Sequence, residues 1–408
     1  MRAAVLIETP RTGAGMDFVK ICEKYNIHPI IFIANPEAQP DWVLDEFYER
    51  KVDIRKVNSY DINEATEHCR AIKEEYELIA VLSLYEYSTI HAAKIAKSLG
   101  LRSPEPEIVS TFRSKSSFRK FLDENNLNSV NYQIKNMIDI DTGEIELNYP
   151  LVVKPVNLTG SAFVRKCNNQ VELNKAFHEI QSLGEYTGQK VENEILVEEY
   201  IDGDEYSVEI LNGEIVTIVQ KYIGEPGFIE IGHDLPANIT VEREKLIYDK
   251  IAELIKTSNY YFGILHLELK VNKNGVQFIE ANPRVAGGRI PELIRQVYGI
   301  DIIENYLLSL FRQQIKDGKS INPINFASIR FRVAKEHGVL ESYNKLSLDN
   351  YPSIIEYKFY KTIGENFEIN YSNKDRVLHA ISISESITDN EKEINQFFGD
   401  LEIKGCAL

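Results

Sequence analysis

Residues 266–289 of this chain read HLELKVNKNGVQFIEANPRVAGGR. Residues 266–271 and 276–281 alternate between polar and apolar side chains, which is the period of a half-buried strand. Between them, the Lys-Asn-Gly sequence at 273–275 suits a three-residue hairpin loop in which Gly275 takes the positive φ that closes the turn. The pattern therefore predicts a β-hairpin with one buried face and one polar face.

The register of this hairpin brings two carboxylates together. The pairs predicted across the hairpin are Asn272 with Val276, Glu268 with Glu280, and His266 with Asn282. The side chains predicted on the opposite, buried face are Leu267, Leu269, Ile279 and Ala281. Two carboxylates about 5 Å apart repel by about 3 kcal/mol at an effective dielectric of about 20. A divalent cation removes this repulsion, and Glu268, Glu280 and the amide oxygen of Asn282 are ligands that Mg²⁺ accepts. The alternative is a surface hairpin with solvated acids.

The loop after the hairpin carries two cations and two glycines. Pro291 suits the first turn of a helix, so the backbone amides of Gly287 and Gly288 would face an anion. Arg284 follows the predicted metal ligands closely enough to reach a phosphoryl or carboxylate group held on the metal. Arg289 is either a clamp for a substrate carboxylate or a surface charge.

These features resemble the ATP-grasp enzymes, and in particular the carboxylate–amine ligases that include bacterial L-amino-acid ligases. The resemblance rests on Glu-x-Asn-x-Arg at 280–284 after a glutamate twelve residues earlier, and on three segments in the family's order: 113–119, 151–155 and 195–209. It covers nearly the whole chain. It implies an α/β and α+β chain with the ATP-grasp fold: an N-terminal Rossmann-like domain, a two-lobed central nucleotide domain and a C-terminal lid.

The resemblance also implies an ATP site between the two lobes. Lys115 and Lys154 would orient the phosphates, and the other residues implied to contact ATP are Thr159, Gly160, Ser161, Glu198, Glu199, Tyr200, Ile201 and Glu205. The residues alone leave other interpretations open, because a single lysine is usually solvated. The loop at 157–162 also suits an ordinary hairpin turn, and the acidic run at 198–205 suits a solvent-facing strand.

The activity implied by the resemblance is a two-step ligation. A carboxylate attacks the γ-phosphate of ATP to give an acylphosphate and ADP, and an amine then forms the amide. The metal ligands would be Glu268, Glu280 and Asn282, with two Mg²⁺ ions expected and Mn²⁺ as a substitute. The catalytic candidates are Lys154 and Arg284. The substrates would be L-amino acids and the product a dipeptide; the alternatives are a carboxylase acting on bicarbonate and a nucleotide-binding protein without turnover.

Candidate substrate contacts lie in three parts of the sequence: Glu86, His266, Arg284, Gly287, Gly288 and Arg289. Glu86 follows the predicted strand at 78–82, where ligands of open α/β sheets gather, but it also suits the N-terminus of a helix at 89–99. His266 is either a substrate contact or a residue that supports a metal ligand.

Composition limits the other classes of function. The net charge of −16 argues against a nucleic-acid partner, and no run of about 18 apolar residues predicts a membrane span. The cysteines, at positions 22, 69, 167 and 406, lack a paired metal spacing and are typical of reduced thiols, so a cytoplasmic protein is expected. A second copy of the chain is left open as a partner.

Prolines interrupt the pattern at 104 and 106 and again at 323, and the three predicted domains are 1–104, 105–322 and 323–408. The first opens with a βαβ unit, strand 3–7, helix 18–25 and strand 29–33, without a dinucleotide fingerprint because Phe18 stands where the third glycine would be. The elements predicted for the last domain are strands at 327–333, 354–360 and 376–384 and a helix at 389–398.

Overall fold

The structure is a computed structural model. It describes residues 1–9, 13–39, 41–127, 130–137, 145–186, 189–225, 227–313, 322–405 and 407. Cys406, one of the four cysteines considered above, lies outside these residues.

The first part of the chain forms a four-stranded parallel sheet in the order β3-β2-β1-β4. Its strands are β1 (Arg2–Ile7), β2 (His28–Ile33), β3 (Asp53–Lys56) and β4 (Glu77–Leu82). The helices between and after them are α1 (Ala14–Lys24), α2 (Asp41–Glu49), α3 (Ile62–Glu75) and α4 (Thr89–Ser98). The predicted βαβ opening is confirmed.

Helices cover both faces of this sheet, which is why its strands are apolar runs. In β1, Ala4 and Leu6 pack with α1, whereas Ala3, Val5 and Ile7 pack with α3 and α4. The strand order reverses between β1 and β4, and the carboxyl ends of these two strands form the switch point at which ligands of such sheets gather. Glu86 lies just beyond β4.

A second, antiparallel sheet has the order β5-β10-β6-β7. Two helices precede it, α5 (Pro106–Arg113) and α6 (Lys115–Glu124). The elements of this small lobe are β5 (Tyr132–Asn136), β6 (Leu151–Pro155), β7 (Arg165–Cys167), α7 (Gln170–Gln181), β8 (Glu185–Tyr186), β9 (Gln189–Lys190) and β10 (Glu194–Glu199).

The largest sheet has eight antiparallel strands in the order β15-β14-β11-β12-β13-β16-β21-β19. Its first five strands along the chain are β11 (Asp204–Leu211), β12 (Glu214–Gly224), β13 (Ile229–Leu235), β14 (Ile264–Asn272) and β15 (Gly275–Asn282). The helices among and after them are α8 (Val241–Ser258), α9 (Ile290–Tyr298) and α10 (Ile302–Leu310). The segment between β10 and β11 passes from the small sheet to the large one, so the two lobes meet there.

The C-terminal elements complete this sheet rather than forming a separate one. They are β16 (Phe326–Val333), β17 (Gly338–Val339), β18 (Ser342–Tyr343), β19 (Ile354–Phe359), β20 (Asn366–Phe367), β21 (Arg376–Ser384), α11 (Ile387–Asp400) and β22 (Ile403–Lys404). The three predicted strands and the predicted helix are confirmed. However, β16 pairs with β13, so three C-terminal strands continue the sheet of the central region. The predicted domain borders stay a prediction.

The hairpin at 266–289 differs from the predicted one at two points. Its turn contains only Lys273 and Asn274, so Asn272 pairs with Gly275 and not with Val276. A β-bulge between Phe278 and Glu280 then adds one residue to β15. The two differences cancel, and the predicted pairs Glu268–Glu280 and His266–Asn282 are confirmed.

The bulge changes which side chain of β15 enters the core. Phe278 is 2% exposed and belongs to the core beneath β14, together with Leu267, Leu269 and Ala281. Ile279, predicted to point into that core, is only partly buried because it is the extra residue of the bulge. The prediction for Ile279 was therefore wrong.

Candidate active site

One face of the large sheet carries a row of buried charged side chains. On β11, Glu205, Ser207 and Glu209 alternate with apolar residues, and all three are buried. Across the ladder, Ser207 pairs with Glu268 and Glu209 pairs with His266 on β14. Because paired residues share a face, the acids of three neighbouring strands come together on this side.

Each of the two facing carboxylates has a lysine partner. Glu280 Oε2 lies 3.1 Å from Lys115 Nζ, and Glu268 Oε1 lies 2.8 Å from Lys221 Nζ. Asn282 donates from Nδ2 to Glu280 Oε1 at 2.8 Å. Burial raises the pKa of Glu280, but Lys115 and the Asn282 amide outweigh burial and hold this pKa well below its usual value. The repulsion inferred from the register is thus balanced by ammonium groups.

Lys221 on β12 was not predicted from the sequence. Its ammonium lies 3.1 Å from Glu205, 3.2 Å from Glu230 and 2.8 Å from Glu268. Burial lowers the pKa of Lys221, but the three carboxylates raise it well above its usual value, so the side chain is a fixed cation. The signal in the sequence is a lysine in the strand 214–224 at a position whose side chain faces the interior. Lysines are rarely buried without partners, so such a position indicates a functional or paired charge.

His266 lies between two carboxylates. Its Nδ1 is 2.8 Å from Glu209 Oε1, and its Nε2 is 3.1 Å from Glu268 Oε1. Burial lowers the pKa of His266, but Glu209 and Glu268 raise it to about 9. Both ring nitrogens therefore contact protein carboxylates, one of which belongs to a predicted metal ligand.

A second cluster lies where the small lobe meets α6. Lys154 Nζ is 2.6 Å from Glu198 Oε2, and Arg119 Nε donates to Glu198 Oε1 at 2.7 Å. All three side chains are buried. Burial raises the pKa of Glu198, but Arg119 and Lys154 bring it below its usual value. Glu198 therefore orients Lys154, and Arg119 extends the cluster by donating to the carbonyl of Phe278 at 3.1 Å.

Lys115 reaches the site from the start of α6. The helix begins after Ser114, whose side chain accepts from the Ser117 amide. Lys115 Nζ also donates to the carbonyl of Leu158 at 2.7 Å. Arg119 lies four residues later and hence on the same helical face, so α6 delivers two cations to the lobe junction.

The loop at 157–162 contacts both the N-terminal and the C-terminal regions of the chain. Thr159 Oγ1 lies 3.4 Å from the hydroxyl of Tyr87, and the Gly160 carbonyl accepts from the Asn373 amide at 3.2 Å. Gly160 and Ser161 both have positive φ, at 66° and 58°. These contacts place the loop between the N-terminal sheet and the C-terminal region. A role of the loop in phosphate binding stays a prediction.

The segment between the two lobes already uses several of its backbone groups. The amides of Glu199 and Tyr200 donate to the carbonyls of Asn131 and Pro150, and the Ile201 carbonyl accepts from Lys270 Nζ at 3.1 Å. The carboxylate of Glu199 accepts from the Asn148 amide at 3.0 Å. These contacts hold the segment in place. The predicted pairing with adenine stays a prediction, and any such pairing must use other groups of this segment.

Glu86 and Arg284 come together although 198 positions separate them. Arg284 Nε donates to Glu86 Oε2 at 2.7 Å, and Arg113 Nη1 lies 3.4 Å from Glu86 Oε1. Burial raises the pKa of Glu86, but Arg284 and Arg113 bring it below its usual value. The switch point of the first sheet therefore faces the loop after the hairpin.

Arg289 contacts the C-terminal strands. Its Nη1 and Nη2 donate to the two carboxylate oxygens of Glu356 at 3.0 and 2.9 Å. Its backbone has a φ of 64° and caps the start of α9. Arg289 is therefore not a free surface charge, and its bidentate pair with Glu356 links the start of α9 to β19.

The glycines beside Arg289 differ in their surroundings. A Cβ at Gly288 would lie 2.5 Å from His233 Nε2, whereas a Cβ at Gly287 would meet nothing within 4 Å. His233 is fully buried, and burial lowers its pKa to about 3, so the ring is neutral. Gly288 therefore permits a close approach of the loop to a buried imidazole.

The chemistry of the donor set fits a hard divalent cation. Glu268 and Glu280 offer carboxylate oxygens, and Asn282 offers an amide oxygen; Mg²⁺ prefers such ligands. Among the described residues, no group of three or more His, Cys, Asp and Glu side chains forms a metal site by itself.

A family model and a solved structure both identify the domain at the centre of the chain. Residues 147–292 match the model of the ATP-grasp domain, and the chain has the ATP-grasp fold. Proteins with this domain generally use ATP and Mg²⁺, and the ligases among them bind small substrates.

Individual relatives are distant. The chain superposes on the L-amino acid ligase of Bacillus licheniformis with a TM-score of 0.79, 19% identity and coverage of 99% of this chain and 98% of that one. It is 25% identical to an uncharacterised protein of Sinorhizobium fredii over 94% of this chain and 79% of the relative. It is 24% identical to the alanine–anticapsin ligase of Bacillus amyloliquefaciens, but that match spans only 59% of this chain and 56% of the relative.

Two further observations concern features predicted from composition. Among the described residues, none of the helices combines the length and the apolar composition that a bilayer crossing requires. Cys22, Cys69 and Cys167 are free and buried, and burial raises the pKa of the Cys167 thiol to about 11.

Proposed function

We propose that this chain is an ATP-dependent ligase that joins the carboxylate of one L-amino acid to the amine of another through an acylphosphate. The observation that carries the proposal is the pair of facing carboxylates, Glu268 and Glu280, each held by a buried lysine in an ATP-grasp fold. Carboxylates that face each other across a ladder, with ammonium groups beside them, suit a site that holds a divalent cation and phosphates together. The ligase names of two relatives support the class of reaction.

Three groups of residues have distinct roles in this proposal. Glu268, Glu280 and Asn282 hold Mg²⁺, which neutralises phosphate charge when bound. Lys115 and Lys154 orient the phosphates from the lobe junction, and the orientation of Lys154 depends on Glu198. The remaining proposed ATP contacts are Thr159, Gly160, Ser161, Glu199, Tyr200, Ile201 and Glu205.

Arg284 stabilises the charge that develops on the transferred phosphoryl group. Its Nε and Nη1 contact Glu86 and the Val285 carbonyl, and this fixes the plane of the guanidinium. Glu86 orients Arg284 and also accepts from a substrate ammonium. Gly287 and Gly288 offer backbone amides to a substrate carboxylate.

The nucleotide product tests the reaction type. With Mg²⁺ and amino acids, ATP should give ADP and phosphate, because the γ-phosphoryl group is the one transferred to the carboxylate. Chromatography of the nucleotides distinguishes this from AMP and pyrophosphate, which would contradict an acylphosphate.

The second product tests the substrates. Mass spectrometry of reactions with pairs of amino acids should reveal a product lighter than the summed substrates by one water, with phosphate released in equal amount. No dipeptide from any pair, together with turnover that requires bicarbonate, would move the chain to the carboxylases.

A further inference from the structure

We propose that Asn373 is a positioning residue that holds the loop at 157–162 against the large sheet, so that the loop retains a bound nucleotide. The inference rests on the proposed function, which gives Thr159, Gly160 and Ser161 contacts with ATP. Asn373 itself is not among the proposed ATP contacts.

The first step is the conformation of the loop, which needs support from outside. Ser161 in the loop and Phe163 just after it both have a φ of 58°, although residues other than glycine rarely adopt positive φ. Such backbone conformations persist only where the surrounding structure holds them. The loop therefore depends on its contacts with other parts of the chain.

The second step is the bridge that Asn373 forms between the lobes. Its backbone amide donates to the Gly160 carbonyl at 3.2 Å, and its side-chain Oδ1 accepts from the Glu230 amide at 3.0 Å. Gly160 belongs to the small lobe, whereas Glu230 lies on β13 of the large sheet. One residue of the C-terminal region thus joins the two lobes, through its backbone on one side and its side chain on the other.

The third step is the firm attachment of residues 371–376, the bridging segment, to the large sheet. Arg376 donates from Nε to the Glu230 carbonyl at 2.9 Å and from Nη2 to the Glu230 carboxylate at 2.7 Å. Within the segment, the buried carboxylate of Asp375 accepts from the Ser372 amide at 3.2 Å. Hydrogen bonds to charged groups are stronger than neutral ones. The bridging segment is therefore fixed on the side of the large sheet.

The contacts of the bridging segment with the small lobe are weaker. The guanidinium of Arg165 on β7 lies 5.2 Å from the ring centre of Tyr371, and Lys374 Nζ lies 4.5 Å from the ring centre of Tyr186 on β8. Tyr371 is 43% exposed, and cation–π contacts at exposed positions contribute little. Together with the neutral hydrogen bond to Gly160, they form a connection that opens when a nucleotide enters or leaves.

Alanine and proline at position 373 separate the two halves of the bridge. Asn373→Ala removes the acceptor for the Glu230 amide and keeps the backbone N–H, whereas Asn373→Pro removes both. Proline suits this position, because Asn373 is the first residue of a 3₁₀ turn and Ser372 already has an extended φ and ψ of −145° and 172°. The difference between the two variants therefore isolates the hydrogen bond to Gly160.

Two measurements follow the loop in these variants. Hydrogen exchange without nucleotide, measured by mass spectrometry, should be about 5-fold faster in the loop of Asn373→Pro than in that of Asn373→Ala, the scale of one neutral hydrogen bond. Exchange elsewhere should stay equal, whereas a general loss of stability would speed it throughout the molecule. Release of a fluorescent N-methylanthraniloyl derivative of ADP, chased with unlabelled ADP and Mg²⁺, should be faster by about the same factor.

Two lysines of the C-terminal region supply a matched pair of variants that leave the backbone of the turn intact. Lys374→Ala removes the contact with the Tyr186 ring and should speed release of the ADP derivative by about 2-fold. Lys361→Ala is its control, because Lys361 pairs with Glu365 at 2.6 Å within the C-terminal region. It should leave release at the wild-type rate. If Asn373→Pro does not fold, this pair carries the test.

The outcomes distinguish this inference from the proposed function. Equal exchange of the loop in Asn373→Pro and Asn373→Ala would overturn the inference, and so would faster exchange with unchanged release of the ADP derivative. Where the proline variant does not fold, equal release from Lys374→Ala and Lys361→Ala would do the same. All of these results leave nucleotide binding by the wild type intact. A wild type that binds no ADP derivative would instead overturn the proposed function, and this inference with it.

Discussion

At the scale of single residues, two lysines neutralise the charge repulsion that the hairpin register creates between Glu268 and Glu280. Glu268 and Glu280 face each other, and Lys221 and Lys115 each lie within 3.1 Å of one of them. The sequence alone suggests that removing one carboxylate relieves repulsion. The structure reverses this expectation, because a buried lysine would lose its partner.

Glu280→Gln should therefore lower both activity and stability. Mg²⁺-dependent turnover should fall by about 100-fold or more, since a metal ligand is lost. The unfolding free energy should fall by about 1–3 kcal/mol, because the buried Lys115 loses its charged partner. Steady-state kinetics over a range of Mg²⁺ concentrations and urea unfolding measure the two effects.

Glu179→Gln is the control for this variant. Glu179 also pairs with a cation, Arg165 at 3.0 Å, but it lies on α7 and has no role in the proposed site. It should keep normal turnover. Normal turnover of Glu280→Gln at limiting Mg²⁺ would mean that Glu280 is not a ligand.

His379 should make stability depend on pH. The ring is fully buried, and burial together with Arg289 lowers its pKa to about 4 from 6.5. Between these two values the unfolded chain binds a proton that the folded chain does not, so stability falls as the pH drops. The stability that His379 contributes at about pH 7 is reduced by about 2–3 kcal/mol at about pH 4.5.

Asparagine at this position isolates the effect, because it does not titrate. The difference in unfolding free energy between the wild type and His379→Asn should shift against the wild type as the pH falls from about 7 to about 4.5. Urea unfolding at both pH values measures it, and His233 cancels because both proteins contain it. A difference that does not change with pH would mean that His379 has an ordinary pKa.

At the scale of elements, the bulge in β15 decides which of its side chains packs into the core beneath the strands that carry Glu268 and Glu280. Phe278 lies in the core, its ring is 6.2 Å from that of Phe118, and its carbonyl accepts from Arg119. Ile279, the extra residue, is only partly buried. Strict alternation from the sequence assigns these two positions the other way round.

Alanine substitutions test this assignment. Phe278→Ala should cost about 3–5 kcal/mol of unfolding free energy, as expected for a buried aromatic ring. Ile279→Ala should cost about 1 kcal/mol or less, because little apolar area is lost. Urea unfolding of the two variants gives the comparison, and a larger loss for Ile279→Ala would support a regular hairpin without the bulge.

At the scale of the whole molecule, the C-terminal region is part of the main sheet. Strand β16 pairs with β13, and Ala327, Ile329 and Phe331 share a core with Leu6 of the first sheet. We propose that 1–104, 105–322 and 323–408 are three successive domains of the chain, of which the last does not fold independently of the central one. The last of them supplies strands that the central one needs.

Truncation after residue 322 tests this dependence. The fragment 1–322 should be insoluble or should lack a cooperative unfolding transition, because β13 becomes an exposed edge and the shared core opens. Solubility, size-exclusion chromatography and thermal unfolding by circular dichroism measure the outcome. Coexpression of 323–408 should restore soluble protein in part, whereas a stable fragment 1–322 would mean that the C-terminal region is an independent lid.

Many of the strands, the ATP-grasp fold and the facing pair Glu268 and Glu280 could be predicted from the sequence alone. These follow from local alternation, from turn residues and from a resemblance carried by short motifs, all of which are present along the chain. The sequence also named Glu86 and Arg284 as candidates, and the structure brings these two side chains into contact.

The groups that neutralise the charges of the site, and the bulge in β15, became known from the three-dimensional structure. Lys221, Arg119 and Arg113 reach the site from distant elements, and nothing local in the sequence specifies their partners. The bulge at Ile279 depends on which ring fits the core beneath the sheet, and the pairing of Arg289 with Glu356 depends on how β19 reaches α9. Long-range packing and ion pairing fix such features, because they depend on distances between residues far apart in the chain.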